Sequence, residues 1–167
     1  MSDQGTNNKG APMDDLTLQR LVDRAAIIDV VCAFAVALDR RDWELLRSTL
    51  ADPIEVDYPD SVGVGTFAAD DLVATAQKFF GALDATLHIS ANHQVVLDGD
   101  RASCVSTLFA SHYLASASEP PVQRQVGYYT NHLERQDDRW RILRTEQHQG
   151  WVEGNPEVFA HAAAAFA

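Results

Sequence analysis

The chain has 167 residues, 46% hydrophobic and 22% charged, a composition that suits one globular domain with a sizeable core. Against 24 acidic residues stand only 13 basic ones, a formal charge of -11, which argues against nucleic acid because a phosphate-binding surface needs Lys and Arg in excess. Neither an 18-residue apolar run nor a signal-peptide core occurs, so no membrane partner is expected and the cytoplasm is the expected compartment.

Residues 1–13 are polar and aperiodic, and read as a disordered tail ahead of a single domain over 14–167. Asp14 or Asp15 can cap a helix running to about Leu38. Along it Leu21, Ala25, Ile28, Cys32 and Ala35 keep the 3-and-4 spacing of one buried face, and the next position in that series is Asp39. A carboxylate on a core stripe needs a cationic or protonatable partner, since burying an unpaired charge is costly. The alternative is that the helix frays near Leu38 and leaves Asp39 in a solvated loop.

Asp42 is the N-cap expected for a second helix, Trp43 to Leu50, stopped by Ala51-Asp52-Pro53. Ile54 to Tyr58 alternates and reads as a strand with Ile54, Val56 and Tyr58 on one face; Gly63 and Gly65 mark a turn. Asp70 or Asp71 begins a third helix through about Leu83, with Leu72, Val73, Ala76, Phe79 and Phe80 at helical spacing. From Thr86 the period changes to 2, giving strands at about 86–97, 101–116, 123–136 and 139–148, and Pro156 opens a short C-terminal helix. Helices first and strands later is the segregated α+β pattern, an antiparallel meander curving around helices to leave a pocket. Cys32 and Cys104 are read as small core residues, not as a disulfide or metal pair.

His88 and His112 lie in the two longest strands. A two-residue loop that opposes Leu97 to Asp100 would pair His88 with Phe109 and separate the histidines, whereas one extra residue or a bulge around Ser90-Asn92 would set His88 opposite Ala110 on the face of His112. His112 shares its face with Cys104, Leu108, Ala110 and Leu114, which marks that face as the concave one. A lone histidine there is ordinarily a satisfied core residue, but Asp39 supplies the partner it lacks. An Asp–imidazole pair fixes the tautomer and leaves a general base near neutral pH. Two histidines and one carboxylate are also the ligand set of a facial metal triad, and the spacing does not choose between these readings; His88-x4-His93 is not a helical zinc signature. His132, His148 and His161 read as ordinary surface or edge residues.

Ala37-Leu38-Asp39-Arg40-Arg41-Asp42-Trp43, Val56-Asp57-Tyr58, Leu87-His88-Ile89, Ser111-His112-Tyr113 and Asp138-Arg139-Trp140-Arg141-Ile142 resemble, in order and spacing, the SnoaL-like proteins of the NTF2-like superfamily over about residues 16 to 160. The pattern is most similar to scytalone dehydratase and hexachlorocyclohexane dehydrochlorinase. The resemblance implies a cone-shaped α+β barrel and a cofactor-independent lyase without a metal. Its small-molecule substrate would be a mostly apolar hydroxy-ketone or natural-product intermediate, and the protein a homo-oligomer. It further implies Asp39 and His88 as a catalytic dyad, His112 and Tyr58 as substrate-polarising groups, and Leu38, Tyr129 and Trp43 against the substrate. Two departures stand out: Leu38 occupies the position of a second tyrosine of the dehydratase, and the strand residues near Gly127 and Tyr129 differ from the serine and asparagine that contact its substrate. An isomerase or polyketide cyclase using the same base, or a non-catalytic binding module, are the alternative functions on this fold. Register leaves open which of Tyr113, Tyr128 and Tyr129 reach the pocket.

Overall fold

Six strands form one curved sheet whose hollow is filled by helices in a computed structural model that describes residues 15–164. The elements in chain order are α1 (Asp15–Arg40), α2 (Trp43–Thr49), β1 (Leu50–Tyr58), β2 (Gly63–Phe67), α3 (Ala69–Gly81), β3 (Ala85–Asp98), β4 (Arg101–Tyr113), β5 (Val122–Gln136), β6 (Arg139–Gly154) and α4 (Pro156–Ala164). The expected N-terminal tail and a cap at Asp14 lie outside the described residues. Among the described residues no helix is long and apolar enough to cross a membrane.

The buried face of α1 differs from the stripe expected above. Ile27, Val31, Ala37 and Leu38 are buried together with Asp23, whereas Leu21 is half exposed. Apolar residues surround the second half of this helix, so spacing alone selects no face and packing against the sheet decides. Asp23 is held by three donors: its Oδ1 accepts from Arg135 Nη2 at 2.8 Å, Gln19 Nε2 at 3.1 Å and Trp140 Nε1 at 3.2 Å. Burial pushes this carboxyl up, but the three donors outweigh it and hold Asp23 below the usual carboxylate range. The start of α1 is thereby tied to β5 and β6, which fixes where its far end emerges.

At that end Arg41 takes a left-handed backbone conformation (φ 54°) and donates through Nη2 to the carbonyls of Phe80 and Leu83 at 3.1 and 2.6 Å, clamping the α1–α2 corner onto the end of α3. Asp42 Oδ1 accepts the Leu45 N–H at 2.9 Å, the expected N-cap of α2. Replacing Asp42 by Ala is expected to cost about 1 kcal/mol; an unmoved urea midpoint would show that α2 does not depend on this bond. The expected cap of α3 is corrected: Asp70 and Asp71 lie in its first turn, and the side chain that accepts the Ala69 N–H, at 3.1 Å, is Asp52 Oδ1 from the start of β1. A cap supplied from 17 residues upstream leaves no local signal.

The strand order is β2-β1-β6-β5-β4-β3, antiparallel throughout except for the parallel β1–β6 pair. Gly63 and Gly65, read above as a turn, belong to strand β2, with Val56 opposite Gly65 and Tyr58 opposite Gly63. β6 runs on past residue 148 to Gly154 because Gly150 is accommodated as a bulge: Val126 faces Trp151 while Gly127 faces Gln149. Gly127 is required there, since a Cβ would collide with the His148 carbonyl.

Of the two β3–β4 registers open to the sequence, the bulged one is adopted. Asp98 pairs with Arg101 around Gly99-Asp100, Leu97 faces Ala102, and the register slips between Ala91 and Gln94. Asn92 takes φ 55° at the slip and donates Nδ2 to Thr107 Oγ1 at 3.0 Å. Beyond it His88 faces Ala110 and Thr86 faces His112, so all four share the concave side. Both cysteines are free; Cys104 is fully buried and its thiol is pushed up to about 11 by that burial, while Cys32 is half-buried.

Candidate active site

The last turn of α1 and the first half of β3 meet at one carboxylate. Asp39 Oδ1 lies 2.6 Å from His88 Nδ1 and accepts the Thr86 hydroxyl at 3.1 Å, while Oδ2 accepts the His88 backbone N–H at 2.7 Å. A carboxylate only accepts, so the His88 ring donates to Asp39 from Nδ1 and presents Nε2 on its other side. Among the described residues Nε2 has no hydrogen-bond partner, and the ring lines a cavity of about 310 Å³. The His88 side chain is 6% exposed and that of Asp39 18%, so the pair is screened from bulk water.

His112 stands beside it, ring centroids 5.5 Å apart and nearly perpendicular. It is buried, and Nδ1 has no partner among the described residues. Burial, reinforced by the neighbouring His88, pushes its imidazole down to about 3 against a backbone hydrogen bond at Gln123 and the attraction of Asp39. His112 is therefore neutral at physiological pH. Phe80 packs on both imidazoles, at 5.4 Å from His88 and 6.1 Å from His112, and Phe159 of α4 approaches His112 at 4.8 Å.

Helices and sheet line the cavity differently. Phe34, Leu38, Leu46, Leu72, Phe79 and Phe80 make an apolar side, and Tyr58, Gln125, Tyr129, Thr145 and Gln147 an uncharged polar wall. No Lys or Arg is among the lining residues. Within the wall the Tyr58 hydroxyl lies 2.8 Å from Thr145 Oγ1, which donates to Asn131 Oδ1 at 2.8 Å. Tyr129 accepts from Gln147 Nε2 at 3.2 Å. Burial raises both tyrosines, Tyr129 to about 12, so each stays protonated at neutral pH.

The structure thus brings His88, His112, Tyr58, Leu38 and Tyr129 around one space, with Asp39 behind His88. Trp43 is corrected: as the first residue of α2 it packs half-buried against Ala37, Leu38 and Leu46, outside the cavity lining. Tyr113 and Tyr128 alternate onto the other face of their strands and are 39% and 47% exposed. His132 and His148 lie on the sheet's outer side, with Nε2 atoms 2.9 and 3.5 Å from the two oxygens of Glu146, and His161 is exposed on α4. Among the described residues no three His, Cys, Asp or Glu side chains are grouped so as to hold a metal ion. Sequence reasoning missed Thr86, Gln125, Thr145 and Gln147. Gln125 and Tyr129 do share a period-2 face with buried Leu133, but a polar alternation ordinarily marks solvent.

A family model described as the SnoaL-like domain matches residues 19–146. The chain belongs to the SnoaL-like family. Its structure is similar to that of the Kfla4162 protein from Kribbella flavida, at 28% identity and TM-score 0.77, covering 89% of this chain and 99% of the other. It is also similar to a candidate scytalone dehydratase from Novosphingobium aromaticivorans, at 22% identity and TM-score 0.73, covering 83% and 91%. A third neighbour is the hexachlorocyclohexane dehydrochlorinase LinA-type3 from Novosphingobium barchaimii, at 22% identity and TM-score 0.67, covering 83% and 93%. These similarities show the NTF2-like cone fold of the SnoaL-like chain. No curated protein matches it.

Proposed function

We propose that this SnoaL-like protein is a cofactor-independent lyase that dehydrates a small, neutral, mostly apolar hydroxy-ketone. The observation that carries this reading is the Asp39–His88 pair, whose free Nε2 borders a mostly apolar cavity with no Lys or Arg in its lining. His88 Nε2 takes the proton from the carbon next to the carbonyl, and the C–H electron pair moves into the carbonyl as an enolate. The enolate then reforms the carbonyl and expels the β-hydroxyl, which leaves as water with the proton returned from the imidazolium. Asp39 holds the tautomer and offsets the transient positive charge on His88. A tyrosine hydroxyl holds the carbonyl oxygen, with neutral His112 beside it in the cavity wall. Two similar structures named for a dehydratase and a dehydrochlorinase support the reading, since both reactions remove a proton and a leaving group from neighbouring carbons.

Product mass tests it. Incubated with a panel of neutral β-hydroxy-ketones, the protein is expected to yield a product lighter by one water. A product of unchanged mass would make it an isomerase, and a member of the panel bound tightly yet returned intact would make it a binding module.

A further inference from the structure

Two tyrosines face the cavity, but their hydroxyl protons are committed differently. Thr145 has a single hydroxyl proton and gives it to Asn131 Oδ1 at 2.8 Å. In the 2.8 Å contact between Tyr58 and Thr145, the donor must then be Tyr58. Its proton points into the wall, and toward a ligand Tyr58 retains only acceptor capacity. Tyr129 is the converse. Its oxygen accepts from Gln147 Nε2 at 3.2 Å, and its own proton has no acceptor among the described residues.

The orientation of Gln147 sets this arrangement. Nε2 also donates to Gln125 Oε1 at 3.5 Å, while Oε1 accepts from Ser61 Oγ at 3.4 Å. With the Gln147 and Gln125 amides oriented in this way, the two Gln147 amide protons go to Tyr129 and Gln125, and the Tyr129 O–H is left for the cavity. A hydroxyl that accepts one hydrogen bond is also a better donor in the next.

We infer that the substrate's carbonyl oxygen is held by the Tyr129 hydroxyl, and that Tyr58 serves as an internal link that positions Thr145 and Asn131. This rests on the reading of the cavity as a site for a neutral carbonyl compound. It gives the substrate an orientation, with its carbonyl toward the β5–β6 wall. It also places the enolate oxygen against a neutral O–H instead of a charge, which suits a cavity without Lys or Arg.

The test uses carbon-13-labelled acetophenone as a probe, read by infrared difference spectroscopy in wild type, Tyr129→Phe and Tyr58→Phe, with near-ultraviolet circular dichroism verifying that each folds. Each substitution removes one oxygen and keeps the ring packing. In wild type the bound carbonyl band is expected below its position in an apolar solvent. Tyr129→Phe should return it toward that position and weaken binding about 5- to 10-fold, whereas Tyr58→Phe should leave the band in place. A band unmoved by Tyr129→Phe, a band displaced by Tyr58→Phe, or no bound band in wild type would overturn the assignment. Acetophenone has no hydroxyl to lose, so the result is independent of whether the protein dehydrates anything. Failure here would leave His88 as the proposed base, and failure of every hydroxy-ketone to lose water would leave the Tyr129 assignment intact.

Discussion

Replacing His88 by Gln is expected to lower turnover on the hydroxy-ketone identified by product mass by about 10²- to 10⁴-fold, the range for losing a positioned general base. Gln fills much of the ring's space and can still donate a hydrogen bond to Asp39, but it carries no basic nitrogen toward the cavity. Asp39→Asn should produce a loss in the same range by another route. The carboxylate accepts from the His88 ring, the His88 backbone and the Thr86 hydroxyl. An amide offers one oxygen and an NH2 group in place of two oxygens, so with its oxygen on the backbone N–H its NH2 meets the imidazole. The ring must then present its Nδ1 lone pair and carry its proton on Nε2, where the base should be. Neither substitution touches the apolar side of the cavity, so binding of acetophenone should change little. Turnover of His88→Gln equal to wild type would remove His88 as the base. If His88→Gln were inactive but Asp39→Asn were not, the carboxylate would be structural only.

His112 couples the site to stability. Folding pushes it from 6.5 down to about 3, first through burial and then through the adjacent His88. Below about pH 6.5 the unfolded chain therefore binds a proton that the folded chain refuses, and stability falls as the pH is lowered through that window toward about 3. Near pH 4.5 the loss from this one group is about 2–3 kcal/mol relative to neutral pH. In His112→Phe, among Phe79, Phe80 and Phe159, that component should vanish. Urea denaturation at both pH values measures it: the wild type should lose more stability than the variant by about that amount. Equal losses would show that His112 takes up its proton without unfolding.

The same burial bears on how the site would work. A neutral His112 beside His88 adds no second positive charge when His88 becomes imidazolium. Were His112 charged instead, it would oppose that step electrostatically.

Local rules carried much of this. The change of period at Thr86 marks where helices give way to sheet, Asp42 caps α2 as its sequence position suggests, and the alternation from Ile54 to Tyr58 assigns the buried face of β1. Cys104, Leu108, Ala110, His112 and Leu114 are buried as their shared parity implies. These features depend on neighbours within a few residues, which is the range over which spacing and capping act.

What the tertiary structure alone decided involves partners far apart in the chain. The bulge at Asn92 sets His88 and His112 on one face, and its pairing with Thr107 has no signature in either strand by itself. Packing on the sheet selected the buried face of α1 from several equally apolar ones, and Asp52 caps α3 from outside the helix. Gln125, Thr145 and Gln147 look solvent-facing in sequence, and only closure of the cone makes them a wall that directs the protons of Tyr58 and Tyr129. The sequence by itself determined most of the elements, though not β2, and the inward parity of β1 and β4. Register and hydrogen-bond direction followed only once distant strands met, because a one-residue slip or the rotation of one amide changes them without altering any local propensity.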